Sequence, residues 1–254
     1  MNITRISASS YSNTAPLIWS FLYGSRRADT EVILDTAPAR SAAFLLEGRV
    51  DAALVPVIAS HEIRGVRILP DVCVGANERV QSVCLITRGC ELKEAKSVAL
   101  DISSRTSYAL TKIIFNEFFG FEPKWNPSKP NIEAMLAENN CALLIGDPAL
   151  AIEITHPELR KFDLVEVWRS FTGFGFVFAM WMTKLATCSV NFAGARDEGL
   201  AHVDEIIANY TPEIPLTKAA FKTYLTESIS YTVNDSMKAG MELYFVLAKK
   251  HGII

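Results

Sequence analysis

Cysteine is scarce in this chain and shows no pairing pattern. Cys73, Cys84, Cys90, Cys141 and Cys188 are odd in number and form no CxxC motif. That argues against a disulfide framework or a cysteine zinc site and leads us to expect the cytoplasm, with reduced thiols. The four histidines, His61, His156, His202 and His251, have no metal-type spacing to one another or to cysteine, so no metal is expected. GxGxxG, GxxxxGK[ST] and GxSxG are all absent, and Gly173-Phe174-Gly175 is too sparse for a phosphate loop. No cofactor is therefore expected, and a serine hydrolase is disfavoured. Basic charge is not in excess: the net charge is −3, which argues against nucleic acid or an anionic membrane as the main partner. No apolar stretch reaches the roughly eighteen residues of a membrane span, and the N-terminus lacks the basic-then-apolar pattern of an export signal.

What is present is a chain of 254 residues, half of them apolar in short runs, long enough for one large domain or two lobes. Strand and helix patterns alternate along it. Residues 2–6 alternate as a strand and residues 18–22 begin a helix with Pro16 in its first turn. Val32-Ile33-Leu34 reads as a strand, followed by a helix opened by Thr36 and Pro38 and closed by Gly48. Further strands are expected at 51–55, 72–74, 80–87, 97–100, 142–145 and 174–182. Helices are expected at 106–119, 132–138, 191–210, 218–228 and 236–250. Such alternation predicts an α/β fold with mostly parallel sheets. With no Pro/Gly/Ser-rich linker, any two lobes must be joined by strands that cross between them.

Ligands of open α/β sheets sit where strands end and helices begin. The first such exit crowds Ser7, Ser9, Ser10, Tyr11, Ser12, Asn13 and Thr14 together without a charge. A second carries Asp101, Ser103, Ser104, Thr106 and Ser107 into a helix start whose free N–H groups favour an anion. Arg79, Gln81 and Ser82 lead into another strand, and Gly146-Asp147 ends a buried one. One isolated Ser or Thr at a helix start is ordinarily an N-cap, but two polar clusters at separate exits point to a pocket for a small carboxylate. Asp147 reads equally as a turn residue before Pro148 or as a pocket group. Phe171, Phe174, Phe176, Phe178 and Trp181 read as core, with part of the run able to wall a pocket.

These segments together resemble the chorismate dehydratases of the futalosine route to menaquinone. Residues 10–17, SYSNTAPL, are similar to that family's N-terminal SYxNTxPL motif. GRVDAALVP at 48–56, VQSVCL at 80–85, VALD at 98–101 running to SRTS at 104–107, LIGDPAL at 144–150, and Thr172-Gly173 with FVFA at 176–179 follow in the family's order. Phe174-Gly175 departs from a usual Leu-Pro, and Ser12 from a common Leu, which touches pocket shape more than the reaction.

The resemblance implies a two-lobed fold of the type II periplasmic-binding-protein kind, with residues 1–88 and 184–254 in one lobe and 89–183 in the other. Hinges are then expected near Thr87-Arg88 and Met182-Thr183. It also implies conversion of chorismate, a dicarboxylate, to 3-[(1-carboxyvinyl)oxy]benzoate by loss of water. Asn13 is the expected catalytic residue. Ser10, Tyr11, Ser82, Ser103, Ser104, Thr106, Ser107, Gly146 and Asp147 are the expected substrate contacts. Two rivals share the fold: a solute-binding protein for a small carboxylate, and the sister 1,4-dihydroxy-6-naphthoate synthase. The latter resembles this family but carries His-Glu where this chain has Gly146-Asp147.

Overall fold

The computed structural model describes residues 3–35, 38–210 and 214–254. The chain begins with β1 (Thr4–Ser9), a 3-10 turn (Ser12–Thr14), α1 (Ala15–Leu22), β2 (Thr30–Asp35), α2 (Pro38–Leu46) and β3 (Ala52–Pro56). A short α3 (Ala59–Glu62) leads to β4 (Arg67–Ala76) and β5 (Val83–Thr87). The middle of the chain holds β6 (Ser97–Asp101), α4 (Arg105–Ile113), β7 (Lys124–Ser128), α5 (Ile132–Glu138), β8 (Cys141–Ile145) and α6 (Gly146–Thr155). Then come β9 (Arg160–Asp163), α7 (Leu164–Thr172) and β10 (Phe176–Thr183). The chain ends with α8 (Phe192–Ala201), α9 (Val203–Tyr210), α10 (Lys218–Thr223), β11 (Ser230–Thr232) and α11 (Asp235–Lys250). Thr36, expected to open α2, lies outside the described residues.

The strands form two sheets, ordered β11-β4-β10-β3-β1-β2 and β7-β6-β8-β5-β9. Each holds a parallel block, β2-β1-β3 in the first and β7-β6-β8 in the second, built through helical crossovers. The antiparallel partners are added by β5 and β10, which reach their sheets without such a crossover. The fold is thus α/β with two mixed sheets. Because β5 pairs in the second sheet and β10 in the first, the chain passes between sheets at 77–82 and 173–175. The sequence had placed these crossings near Thr87-Arg88 and Met182-Thr183. Both crossing strands are apolar and buried throughout most of their length, so their pattern does not tell which sheet they join.

Capping explains several boundaries. Asp163 caps α7 through the Val165 and Glu166 amides, and Gly173, at φ +75°, ends it in the left-handed region. The expected long helix over 191–210 breaks at His202 into α8 and α9. The expected helix over 106–119 continues from α4 as a π-type turn, Ile114–Phe119. No helix among the described residues is long and apolar enough to cross a membrane.

Candidate active site

The polar stretch after β1 folds into a tight turn. The Thr14 hydroxyl donates to the Ser9 carbonyl at 2.5 Å and the Tyr11 carbonyl at 2.7 Å, and the Thr14 amide donates to Tyr11 at 3.0 Å. These bonds drive the chain straight into α1, with Pro16 in its first turn, and turn Asn13 toward a cleft. A second helix start comes from the other sheet: Ser104 caps α4 by accepting the Ser107 amide, and Thr106 and Ser107 follow in the first turn. The third is α6, which opens at Gly146 directly from β8. Gly146 has φ +68°, and a β-carbon there would lie 2.9 Å from ring atoms of Tyr11. The Tyr11 ring therefore lies flush against backbone that only glycine supplies.

Three helix starts from both sheets thus converge on one open cleft of about 570 Å³, its mouth included. Tyr11, Asn13, Ser104, Thr106, Ser107 and Gly146 all line it. Ser9 and Thr14 join them. Leu54, Pro56, Val74, Val83 and Phe178 supply an apolar wall. Phe178 is the member of the aromatic run that faces the cleft; Phe176 and Trp181 are fully buried core. No Lys, Arg, Asp or Glu lines the cleft among the described residues. Its polarity comes from hydroxyls, one carboxamide and helix N-termini.

The other four expected contacts lie outside this lining. Ser10 is exposed and offers its carbonyl to the Tyr210 hydroxyl at 3.0 Å, beside a separate groove. Ser82 is fully buried behind the cleft, where its hydroxyl accepts from Tyr224 at 2.8 Å. The Asn13 side chain lies near the same Tyr224 hydroxyl and opposes the effect of burial on it. Burial pushes the Tyr224 phenol far above its ordinary range. Ser103 donates both its amide, at 2.9 Å, and its hydroxyl, at 2.6 Å, to Asp101. Asp147 accepts the Ser12 hydroxyl at 2.5 Å and the Ser12 amide at 3.2 Å, tying α6 to the turn after β1. Its two readings, turn residue or pocket group, thus give way to a clamp between elements of the two sheets.

Tyr11 connects to the second cluster. Its side chain lies near Ser103. Burial raises its pKa, an effect that the neighbouring Ser103 opposes and that the charges of Asp101, Asp147 and Asp35 reinforce.

Sequence reasoning missed Asp163 altogether. Besides capping α7, its Oδ2 accepts the Val80 amide at 3.0 Å and the Gln81 amide at 2.6 Å. It thereby holds the first crossing, where Gln81 takes φ +63° and Val80 lines the cleft. The available signal was an Asp immediately before an apolar helical pattern with Gly173 at its end.

Comparison with known proteins agrees with this architecture. Solved structures similar to this chain include a protein of Archaeoglobus fulgidus, at TM-score 0.70 and 16% identity, covering 98% of each chain. The periplasmic aliphatic sulphonate binding protein of Escherichia coli matches at TM-score 0.68 and 15% identity, over 100% of this chain and 89% of its own. A Candida albicans protein described as having the generic periplasmic binding protein fold matches at TM-score 0.68 and 14% identity, over 98% and 92%. These likenesses show the fold alone. In sequence, the chain is 32% identical over 218 residues to the chorismate dehydratase of Thermus thermophilus, covering 77% of each protein. A family model described as menaquinone biosynthesis matches residues 4–250. The chain, nearly from end to end, belongs to this menaquinone biosynthesis family.

Proposed function

We propose that this protein is a chorismate dehydratase, a hydro-lyase that removes water from chorismate to give 3-[(1-carboxyvinyl)oxy]benzoate. The observation that carries this reading is the uncharged cleft ringed by three helix starts. Chorismate is a dianion, and an acidic lining would repel it, whereas helix N-termini and hydroxyls favour it. Loss of the ring C3 hydrogen and the C4 hydroxyl aromatises the ring, so the driving force lies in the substrate. Charge developing at C3 spreads through the ring to the C1 carboxylate. Donors fixed before the reaction then stabilise the transition state, as in an oxyanion hole. In this reading Asn13, on the cleft lining, orients the reacting ring, with the hydrogen-bonded Tyr224 and Ser82 behind it. The family resemblance to the Thermus thermophilus enzyme supports the same reading, with the cytoplasm as the site of reaction.

The two sheets are read as two lobes that close on the ligand. Their hinge is then the pair of crossings at 77–82 and 173–175, not the pair first expected. Arg169 donates to the carbonyls of Asn77 and Gly173 at 3.2 Å each, so it bridges both crossings. Closure would exclude water from the dehydrating ring. Incubating the purified protein with chorismate, and following the aromatic product by absorbance and mass spectrometry, tests the activity. A solute-binding protein would return chorismate unchanged, and the sister enzyme would require its own cyclised substrate.

A further inference from the structure

The start of α4 has two sides. Ser104, Thr106 and Ser107 line the cleft, whereas Arg105, between them, does not. Arg105 lines a second hollow that shares Ser104 with the cleft and is walled by Ile58, Glu62, Tyr108 and Ile253. There its guanidinium meets the Glu62 carboxylate at 2.7 Å. Glu62 ends α3, which follows β3 of the first sheet, and α4 follows β6 of the second, so this ion pair spans the two sheets. β3 also supplies Leu54 and Pro56 to the apolar wall of the cleft. Two neutral bonds reach the same turn from the first sheet's side. The Ile58 amide donates to Thr106 Oγ1 at 3.5 Å, and the Tyr244 hydroxyl of α11 donates to the Thr106 carbonyl at 3.3 Å. Both are long for their kind, while the ion pair is short and charged at both ends. Arg105–Glu62 is therefore the firmest of these three holds on the α4 start.

We propose that Arg105 is a positioning residue whose pairing with Glu62 latches the α4 start, and with it Ser104, Thr106 and Ser107, against the other lobe. The proposal rests on the chorismate dehydratase reading and its closing lobes. A contact that spans the lobes forms only when they are together, so it favours the closed state by its own worth and no more. The two side chains are 42% and 27% exposed, which makes this a partly screened pair. An effect of about threefold to fivefold on the release of ligand is the matching scale. The latch touches neither the ligand nor the reacting atoms, and substrate and product are both dicarboxylates. It therefore acts on release of either one and leaves the chemical step alone. Attraction of the dianion by the Arg105 charge itself makes the opposite forecast for Glu62: removing that carboxylate would free the arginine and tighten binding. The 2.7 Å contact favours the latch, because a guanidinium already paired offers an incoming dianion little net charge.

The test compares the parent with Glu62→Gln, Arg105→Met and the protein carrying both changes. Dissociation of the aromatic product by stopped flow, its affinity by calorimetry, and the single-turnover rate of chorismate with enzyme in excess are measured. Hydrogen exchange is followed in the ligand-free proteins. Product should leave each variant about threefold to fivefold faster than it leaves the parent, with affinity no tighter and the single-turnover rate within about twofold. The double variant should match the single ones, since either change breaks the same pair. Exchange over 58–62 and 104–108 should quicken alike in all three. Tighter product binding by Glu62→Gln, additive effects in the double variant, or unchanged product release would each overturn the latch. A parent that makes no aromatic product would overturn the dehydratase reading instead. The exchange pattern then judges the latch by itself: quickened in both segments it stands, unchanged it falls.

Discussion

The contact between Gly146 and Tyr11 invites a measurement with an internal control. Gly146 and Gly48 have nearly the same backbone, φ +68° and φ +70°, but different surroundings. A β-carbon at Gly48 meets nothing within 4 Å, whereas one at Gly146 meets the Tyr11 ring at 2.9 to 3.0 Å. Both alanine variants incur the left-handed penalty of about 1–2 kcal/mol, partly offset by the less flexible unfolded chain. Gly48→Ala should therefore lose about 1 kcal/mol and keep full activity. Gly146→Ala adds the cost of forcing an aromatic ring aside, about 1–3 kcal/mol by the usual overpacking scale. Displacing Tyr11 should also lower kcat/KM, since misplacement by about 1 Å can cost a hundredfold. Urea denaturation of the three proteins, paired with chorismate turnover, reads both effects. Equal stability of the two variants, with equal activity, would refute the view that Tyr11 is seated on Gly146.

Asn13→Ala should lower kcat by roughly a hundredfold, about 2.7 kcal/mol, with product affinity little changed. Asn13→Asp should chiefly weaken binding, since it sets a charge beside a dianion, and added salt should recover part of that loss. A β-carbon at Gly199 would fall 1.9 Å from the Pro16 carbonyl oxygen. Gly199→Ala should thus push α8 from α1 and cost about 3 kcal/mol in thermal unfolding. The Glu198 carboxyl is lowered to about 2 by the hydroxyls of Ser20 and Ser25, the Ser25 amide and Arg26. A depressed carboxyl stabilises the fold above its unfolded value of about 4.5, and that contribution fades as pH falls toward 2. The gap in melting temperature between the parent and Glu198→Gln should therefore be largest near neutrality and close between those values; a constant gap would count against it. Asp163→Ala should cost about 3 kcal/mol or more in denaturant unfolding, because four amides lose their acceptor.

Much of this was legible in the sequence because the relevant signals are local. A strand that runs into Ser, Thr and Asn before Pro16 announces a helix start at a sheet exit, and the structure places Asn13 there. Ser104 announces the second, and it caps α4 as its position suggests. What could not be read was which polar groups face inward. Ser10 and Tyr11 are neighbours, yet one meets solvent and the other the cleft, a difference set by the 3-10 turn that Thr14 closes. Ser82 and Tyr224 lie 142 positions apart in sequence, and nothing local in either predicts their hydrogen bond. The crossings were misplaced for a related reason. A strand buried on both faces has no alternation, so its pattern states burial without naming the sheet.

Among the described residues no basic side chain lines the cleft proposed for a dianion, and this has an energetic logic. Substrate and product of the proposed reaction are both dicarboxylates, so a lysine or arginine would hold the two alike. Such uniform binding tightens affinity without raising kcat, and it slows release of product. Helix N-termini and hydroxyls instead carry fractional charge that is fixed in direction by the backbone. Ser104 is held by its cap to α4 and Thr14 by two carbonyls. Groups so constrained need little rearrangement when charge moves from C3 toward the carboxylate, which is the condition for stabilising a transition state more than either end state. Placing an arginine at Ser107, on the first turn of α4, should therefore tighten binding of the product while lowering kcat. Competition by product in steady-state turnover would show it, and a variant that gained affinity and kept its kcat would sink the argument.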